Sequence, residues 1–160
     1  MAMSLIPVHS EITGSIVDAA IHLHRDLGPS LLESTYELLL LDELERRGHV
    51  VHAQLAVPLI FRGRKIEKAF RLDLLVDRVV VIEIKCTERS APVHRMQVLT
   101  YLRLMRLQVG LVLNFGFETM KAGIDRVYND REVPSARGSP CSPFLRALRR
   151  VVFPNDLSCR

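Results

Sequence analysis

The sequence has little cysteine, and none of it stands in a metal-binding spacing. Cys86, Cys141 and Cys159 are the only cysteines in 160 residues. Their odd number and wide spacing argue against a disulfide framework, and the lack of any C-x-x-C pair argues against a zinc site built on cysteine pairs. We therefore expect free thiols in a reducing cytoplasm.

Long apolar runs are absent as well. No stretch is long enough to span a membrane, and segment 1–7 has neither the basic region nor the apolar run of a secretory signal. The composition, 48% hydrophobic and 25% charged, is sufficient for a full core, and the length suits one domain. These features argue against the membrane and secreted classes, so we expect a globular cytoplasmic protein.

Most of the chain also lacks an excess of either charge. The net charge is +4, but residues 131–160 hold six Arg against Glu132 and Asp156, which accounts for all of it. The remaining residues balance. Overall basicity therefore does not identify the domain as a strong binder of polyanions.

Hydrophobic periodicity predicts alternating helices and strands. A helix over 10–24 is followed by a second over 31–47, with Leu31, Leu38, Leu41 and Leu44 facing inward. The later segments predict strands and one helix: strands 50–61, 66–76 and 79–86, a helix from about 92 to 106, a buried strand over 109–115 and an edge strand over 124–128. The fold class is therefore α/β or α+β, with a mixed central sheet of about four or five strands flanked by helices.

The composition changes after Asn129 to Arg, Pro, Ser and Gly. We interpret residues 1–130 as the folded domain and residues 131–160 as a basic Pro/Arg-rich tail. Within the tail, 131–141 is interpreted as a linker and 142–153 as a short helix.

Three charged residues stand among the apolar strands of one predicted hairpin. Asp73 lies on the first strand, and Glu83 and Lys85 lie two apart on the second, so the latter two share a face. Burying such charges is costly unless they are paired or bind a metal. Two carboxylates and a lysine at one place would suit a hard divalent cation and a water, whereas an exposed row of charges on a sheet is the alternative.

The length of the connecting loop decides whether the three charges can meet. A two-residue turn at Asp77 and Arg78 would place Asp73 opposite Ile82, pointing away from Glu83. A three-residue loop over 77–79 would place Asp73 opposite Glu83. The functional interpretation therefore requires the three-residue loop.

Two further pairs are candidates for the same site. Gln97 and Tyr101 share a face of the third helix, where they could contact a phosphate or orient a ligand, or could be a boundary glutamine beside a half-buried tyrosine. Glu33 and Tyr36 stand at the start of the second helix. Glu33 is either a third acidic group at the metal or a residue that favours the helix dipole, and Tyr36 is either its support or a packed side chain.

Taken together, these segments resemble a known family. The motifs are a G…E-x-x-Y pattern over 28–36, R-x-D-L-L-V at 71–76, E-I-K at 83–85, P-V-H at 92–94, Q-x-x-x-Y at 97–101 and L-N-F-G at 113–116. In order and spacing they resemble the GxxExxY family of bacterial proteins, placed in the PD-(D/E)XK nuclease superfamily. Ser30 stands where that family usually has a second glycine. The resemblance covers about residues 10 to 128 and implies a restriction-endonuclease-like core.

The resemblance also implies roles for individual residues. Asp73 and Glu83 match the metal-binding acids, Lys85 the catalytic lysine and Glu33 the helix acid. Gln97 and Tyr101 resemble the corresponding element of RecB-like nucleases. A Mg²⁺ or Mn²⁺ ion would be held by Asp73, Glu83 and the Ile84 carbonyl, and Glu33 would bind it through a water or hold a second ion.

The sequence therefore predicts a Mg²⁺-dependent nuclease that hydrolyses phosphodiester bonds of nucleic acid, DNA in preference to RNA. The alternative is a non-catalytic protein that keeps the fold and binds nucleic acid or regulates a partner, which the neutral charge of the domain favours. A domain this small often needs a homodimer or a partner protein to hold a duplex, and no membrane partner is expected.

The tail yields a first prediction. Because residues 131–160 carry all the net positive charge, truncation at Asn129 should weaken nucleic-acid binding and flatten its dependence on salt. The melting temperature should hardly change. Binding titrations over a range of salt concentrations, with thermal unfolding of both chains, test this. A large loss of stability would show that segment 142–153 belongs to the core.

Overall fold

The computed structural model describes residues 9–29 and 31–130. The elements, in chain order, are α1 Ser10–Leu27, α2 Glu33–Arg46, β1 Val51–Phe61, β2 Arg64–Val76, β3 Val80–Lys85, α3 Pro92–Met105, β4 Val109–Asn114, α4 Met120–Gly123 and β5 Ile124–Tyr128. The predicted order of helices and strands is confirmed, as is the mixed sheet flanked by helices. The predictions for the tail, linker 131–141 and helix 142–153, lie outside the described residues.

The sheet has five strands in the order β1-β2-β3-β4-β5. The first three form an antiparallel meander, and α3 then carries the chain across to β4, which runs parallel to β3. The last strand, β5, returns antiparallel at the edge. The central position therefore belongs to β3, the strand that carries Glu83 and Lys85.

The two faces of the sheet are covered by different helices. On one face, α1 and α2 pack on alternate residues of β2, β3 and β4, including Leu74, Ile82 and Leu111. On the other face, α3 covers Leu75, Val81 and other apolar residues of the sheet. All six residues of β4 are buried, which confirms the prediction of a strand enclosed on both sides.

The inward face of α2 differs from the prediction. Leu38 is 68% exposed, whereas Tyr36, Leu40 and Leu44 are fully buried. These three residues are spaced by four, so they form one stripe on the helix, and Leu38 stands about 200° around the axis from Tyr36. Leu31 and Leu41 are partly buried against the same core. The prediction for Leu38 is wrong because a leucine-rich helix gives no unique phase, and the aromatic residue sets it.

The β2–β3 loop has the length that the functional interpretation requires. Residues 77–79 form the turn, and the strands pair as Val76 with Val80 and Leu74 with Ile82. Asp77 and Arg78 have φ angles of 49° and 61°, a left-handed conformation that most residues avoid. The register predicted for a three-residue loop is thus confirmed.

Asp77 fixes this loop to two other parts of the fold. Its Oδ1 accepts a hydrogen bond of 2.9 Å from the Val50 amide, and its own amide donates one of 2.8 Å to the Val50 carbonyl. Its Oδ2 lies 2.7 Å from Nδ1 of His49, and Nε2 of the same ring lies 2.9 Å from Oγ of Ser15 on α1. The loop that sets the hairpin register is therefore held by α1 and by the start of β1.

In the part of the chain that the structure describes, no helix combines the length and the apolar character needed to cross a membrane.

The role of Asp77 leads to a second prediction. Asp77→Ala removes both carboxylate contacts and puts a residue with no local hydrogen bond into a left-handed conformation. We expect it to lower the free energy of unfolding by about 2 kcal/mol. Asp77→Asn should cost less than half of this, because asparagine keeps one acceptor oxygen and tolerates the conformation. Urea unfolding measures both, with Asp26→Ala on the exposed end of α1 as a control expected to stay within about 0.5 kcal/mol. Equal losses for Asp77→Ala and Asp26→Ala would contradict the role.

Candidate functional site

The predicted site residues meet at the C-terminal end of β3. Asp73 accepts a hydrogen bond of 2.8 Å from the Ile84 amide, and Glu33 accepts one of 3.0 Å from the Cys86 amide. Glu83 and Lys85 are joined by an ion pair of 2.7 Å. The last three residues of the central strand and Cys86, which follows it, thus bring together all four charged residues that the sequence predicted.

Asp73 reaches this place because β2 and β3 separate there. Their pairing ends at Leu74 and Ile82, one step before Asp73 would face Glu83. The Asp73 carboxylate then takes the Ile84 amide that a continued strand would have bound. On the other side, the β1 residue opposite Asp73 is Gln54, whose φ of 52° interrupts the regular pleat. The carboxylate is therefore aimed along the sheet, into the gap between the strands.

Glu33 is positioned by the turn between α1 and α2. Gly28 follows α1 with a φ of 74°, a conformation that favours glycine, and its carbonyl accepts a hydrogen bond from the Tyr36 hydroxyl. The Tyr36 ring stacks on Phe115 at 4.1 Å, and both rings are fully buried. Of the two interpretations of Tyr36, the structure supports a packed residue that shapes the turn. The glycine and tyrosine of the motif therefore hold the first turn of α2 where Glu33 can reach β3.

Among the described residues, Glu83 is the most deeply buried carboxylate. Its side chain is 2% exposed, and its Oε2 is buried without a hydrogen-bond partner among the described residues. Burial raises the pKa of the Glu83 carboxyl, the hydrogen bond from Lys85 lowers it, and the charge of Asp73 raises it further. Lys85 compensates one carboxylate oxygen and leaves the other unsatisfied.

The pKa values of the neighbouring Asp73 and Lys85 are also shifted by burial and by nearby charges. Burial raises the pKa of Asp73, and the Ile84 amide and Lys85 offset part of the rise. Burial alone would lower the pKa of Lys85, but the hydrogen bond to Glu83 and the nearby negative charges outweigh it, so the net direction is upward. Lys85 is therefore a cation at neutral pH, beside acids that would be stabilised by more positive charge.

The acids are not arranged as a finished metal cage. Within residues 9–29 and 31–130, no group of three or more His, Cys, Asp or Glu side chains is arranged so that it could hold a metal ion. Glu33 and Asp73 line a cleft of about 610 Å³ together with Leu31, Leu32, Ser34, Glu37, Ile84 and Cys86. Glu83 and Lys85 do not line it. The acids thus share one end of β3 and influence one another electrostatically, but each is bound to a protein partner.

Gln97 and Tyr101 form a tie between α3 and β2. The Gln97 amide donates a hydrogen bond of 2.9 Å to the Tyr101 hydroxyl, which donates one of 3.0 Å to the Arg71 carbonyl. Tyr101 is 2% exposed, so its hydroxyl is used inside the protein. Because Arg71 lies two residues before Asp73, this tie holds β2 in position next to the acid.

Cys86 is a free, half-buried thiol; Cys141 and Cys159 lie outside the described residues. Burial, with the charge of Glu33, raises the pKa of the Cys86 thiol to about 11. The thiol is therefore protonated at neutral pH and does not serve as a nucleophile.

The L-N-F-G motif has a structural role that sequence reasoning did not assign. Asn114 Oδ1 accepts hydrogen bonds of 3.0 Å from the Thr87 and Gly116 amides, and the Phe115 amide donates one of 2.7 Å to the Lys85 carbonyl. A Cβ on Gly116 would lie 2.5 Å from the Thr87 carbonyl oxygen, which explains the glycine. The motif therefore holds the end of β3 and the residues after Lys85. Its adjacency to β3 in a βαβ unit was the signal that could have revealed this.

The raised pKa of Asp73 leads to a third prediction. Since the pKa is higher in the folded than in the unfolded protein, ionisation of Asp73 destabilises the fold. This penalty to the free energy of unfolding is absent at a pH below 3.8, the ordinary pKa of the aspartate side chain. It grows as the pH rises through the raised pKa of Asp73. Asp73→Asn, which keeps an acceptor for Ile84, should therefore raise the melting temperature of the metal-free protein by a few degrees at neutral pH, about 1 kcal/mol, and by nothing near pH 3.

The control for this experiment is Glu118→Gln, which removes an exposed acid after β4. It should leave the melting temperature unchanged at both pH values. Thermal unfolding in the presence of a chelator measures all three proteins. A loss of stability in Asp73→Asn at neutral pH would show that the Asp73 charge is already compensated.

Comparison with known protein families matches most of the chain. The family model of the PD-(D/E)XK nuclease superfamily matches residues 10–127. No curated protein matches the chain. Among solved structures, one described as the crystal structure of SSO0001 is similar, with 15% identity and a TM-score of 0.44, over 91% of this chain and 77% of that one.

The match covers α1 through β5 and includes every charged residue at the end of β3. The chain belongs to the PD-(D/E)XK nuclease superfamily.

Proposed function

We propose that this protein is a member of the bacterial GxxExxY group and hydrolyses phosphodiester bonds of nucleic acid, DNA rather than RNA, with Mg²⁺ or Mn²⁺. The observation that carries the proposal is the buried, unsatisfied Glu83 Oε2 beside Asp73, at the end of a strand that also presents Lys85. A purely structural ion pair gains nothing from such an oxygen, because a buried acceptor without a partner costs about 1–3 kcal/mol.

The chemistry of the residues at this place, though not their present arrangement, suits a divalent cation. Asp73 and Glu83 supply carboxylate oxygens, the Ile84 backbone supplies a carbonyl, and Glu33 adds a negative charge from α2. Hard cations such as Mg²⁺ prefer oxygen ligands of this kind. When bound, the ion would supply a Lewis acid for the phosphate and would lower the pKa of a water.

Lys85 would act on the substrate as a cation. Its raised pKa keeps it protonated, so it can donate hydrogen bonds but cannot accept a proton at neutral pH. Held by Glu83 at 2.7 Å, it would orient the attacking water and offset negative charge that develops on the phosphate. Lysine as a general base is therefore not part of the proposal.

Gln97 and Tyr101 would have different roles. The Tyr101 hydroxyl donates a hydrogen bond to the Arg71 carbonyl, so Tyr101 holds β2 in place and thereby fixes the position of Asp73. Gln97 is half-buried next to this hydroxyl and keeps its carbonyl oxygen for a further contact. We assign to Gln97 the positioning of the scissile strand. We propose in addition that the protein is cytoplasmic. We also propose that a second copy of the chain, or a partner protein, is needed to bind a duplex.

One observation favours a second function, a non-catalytic protein that binds nucleic acid. Among the described residues, each acid at the end of β3 already has a protein partner, and no three-ligand group is arranged for a metal. A protein that had lost catalysis could keep the fold in this form. Metal binding and cleavage distinguish the two functions.

The fourth prediction separates the roles of the lysine and the acids. Lys85→Ala should lower the rate of cleavage by about 100-fold to 1000-fold, the usual effect of removing one group that stabilises the transition state. It should leave the affinity for Mg²⁺ or Mn²⁺ nearly unchanged, because a protonated lysine offers no lone pair. Asp73→Asn should instead weaken metal binding about tenfold or more, since it removes a charged oxygen ligand.

Calorimetric titration with Mg²⁺ and Mn²⁺, beside cleavage assays on single- and double-stranded DNA and RNA, measures both effects. Lys121→Ala on the exposed surface of α4 is the matched control and should change neither. Metal binding without cleavage of any substrate would support the non-catalytic alternative. A folded wild type that binds no ion at millimolar concentration would defeat the metal-dependent mechanism.

A further inference from the structure

The β1–β2 hairpin extends beyond the body of the sheet. Before Asp73, β2 no longer pairs with β3, and its strand pairing is with β1, as far as the pair Phe61–Arg64 at the tip. A register shift after Val57 separates this part from the rest of the hairpin. We call residues 59–71 the arm. At about 3.3 Å per residue, its tip lies roughly 25–30 Å along β2 from Asp73.

The arm concentrates positive charge in a domain, residues 1–130, that has no net charge. It holds five basic residues and one acid, Glu67, and the basic residues are all exposed: Arg62, Arg64, Lys65, Lys68 and Arg71. Since the chain before residue 131 has no net charge, the remainder of the domain is acidic. The positive field is therefore localised on the arm.

The two faces of the arm tip are different. Phe61 pairs with Arg64 and Leu59 pairs with Ile66, so these side chains share one face. Phe61 is 61% exposed and Ile66 is 46% exposed, and the Arg62 guanidinium lies 5.3 Å from the centre of the Phe61 ring. The opposite face carries Ile60 and the ion pair between Lys65 and Glu67. One face thus combines an exposed aromatic ring with two arginines that form no ion pair with any residue in the described part of the chain.

We propose that this face of the arm binds an unpaired strand of nucleic acid, with a base stacked on Phe61 and phosphates held by Arg62 and Arg64. An exposed aromatic flanked by cations suits such a strand, because every base has a flat face and every nucleotide has a phosphate. A second copy of this chain is the poorer occupant, since two arms of the same positive charge repel. The proposal rests on the proposed function, as the strand would be the substrate of the site at the end of β3.

The arm is joined directly to that site. Its last residue, Arg71, is held at the backbone by the Tyr101 hydroxyl, and Asp73 follows two residues later on the same strand. A strand bound along the arm would therefore lead toward the acids. This gives β2 two functions, one at each end.

The fifth prediction tests stacking in the absence of catalysis. Anisotropy titrations of the full chain in chelator, with a fluorescent oligothymidine of about 20 nucleotides and a blunt duplex of similar length, measure binding alone. Phe61→Ala should weaken binding to the single strand about tenfold, as expected for loss of one stacked base. Binding to the duplex should change less, because its bases are already stacked. Phe61→Tyr should restore the affinity for the single strand.

Ile60→Ala is the matched control, since it removes an apolar side chain of similar exposure from the opposite face of the tip. It should leave both affinities unchanged. Arg62→Gln with Arg64→Gln should reduce the salt dependence of binding to both oligonucleotides. Equal effects of Phe61→Ala and Ile60→Ala, or no binding of the single strand by the wild type, would overturn the proposal. So would a dimer in sedimentation that Phe61→Ala dissociates.

These outcomes do not depend on cleavage. If Phe61→Ala weakens binding but no metal supports hydrolysis, the arm proposal stands and the nuclease proposal fails. If the wild type cleaves nucleic acid and Phe61→Ala binds and cleaves as well as the wild type, the nuclease proposal stands and the arm proposal fails.

Discussion

The hydrogen bond from the Ile84 amide to the Asp73 carboxylate organises this protein. A backbone amide in a central strand would ordinarily bond to the neighbouring strand, and here a side chain takes that place at 2.8 Å. The exchange lets β2 leave the sheet without an unsatisfied amide on β3. It also fixes a carboxylate beside Glu83 and Lys85. This one hydrogen bond therefore marks the end of the β2–β3 pairing and the point where β2 continues toward the arm. It also holds the Asp73 carboxylate in the acidic site.

Much of this arrangement could be predicted from the sequence. Whether Asp73 and Glu83 share a face depends only on whether the loop between their strands has an odd or an even number of residues. Charged residues among Val, Ile and Leu marked the hairpin, and the alternation of side chains reduced the question to the number of loop residues. The structure confirms three, over 77–79. The inward face of α2 was harder, since a run of leucines fits several phases. The predicted burial of Leu38 is wrong because the Tyr36 ring, packed on Phe115, sets the rotation of the helix. That packing is a contact between distant segments of the chain.

The features that sequence reasoning missed are those that link residues far apart in the chain. His49 joins Ser15 on α1 to Asp77 in the loop, and Asn114 joins the end of β4 to Thr87 after β3. Neither network is marked in the sequence by a regular spacing of residues, so its members could be recognised as partners only in the folded structure. Both networks hold the hairpin and the end of β3. The sequence therefore indicated which charged residues come together at the end of β3, while the contacts that position them appeared only in three dimensions.

The acidic site and the stable core also depend on one another. Burial raises the pKa of both Asp73 and Glu83, so the ionised site opposes folding, and the apolar layers on the two faces of the sheet must offset that cost. The core covers Glu83, on the central strand, but leaves Glu33 exposed and Asp73 on a cleft. A charge that costs free energy in the absence of a ligand is one that a cation can stabilise. The same burial that strains Glu83 therefore makes an added positive charge at this end of β3 favourable, which is the electrostatic basis of the proposed metal site.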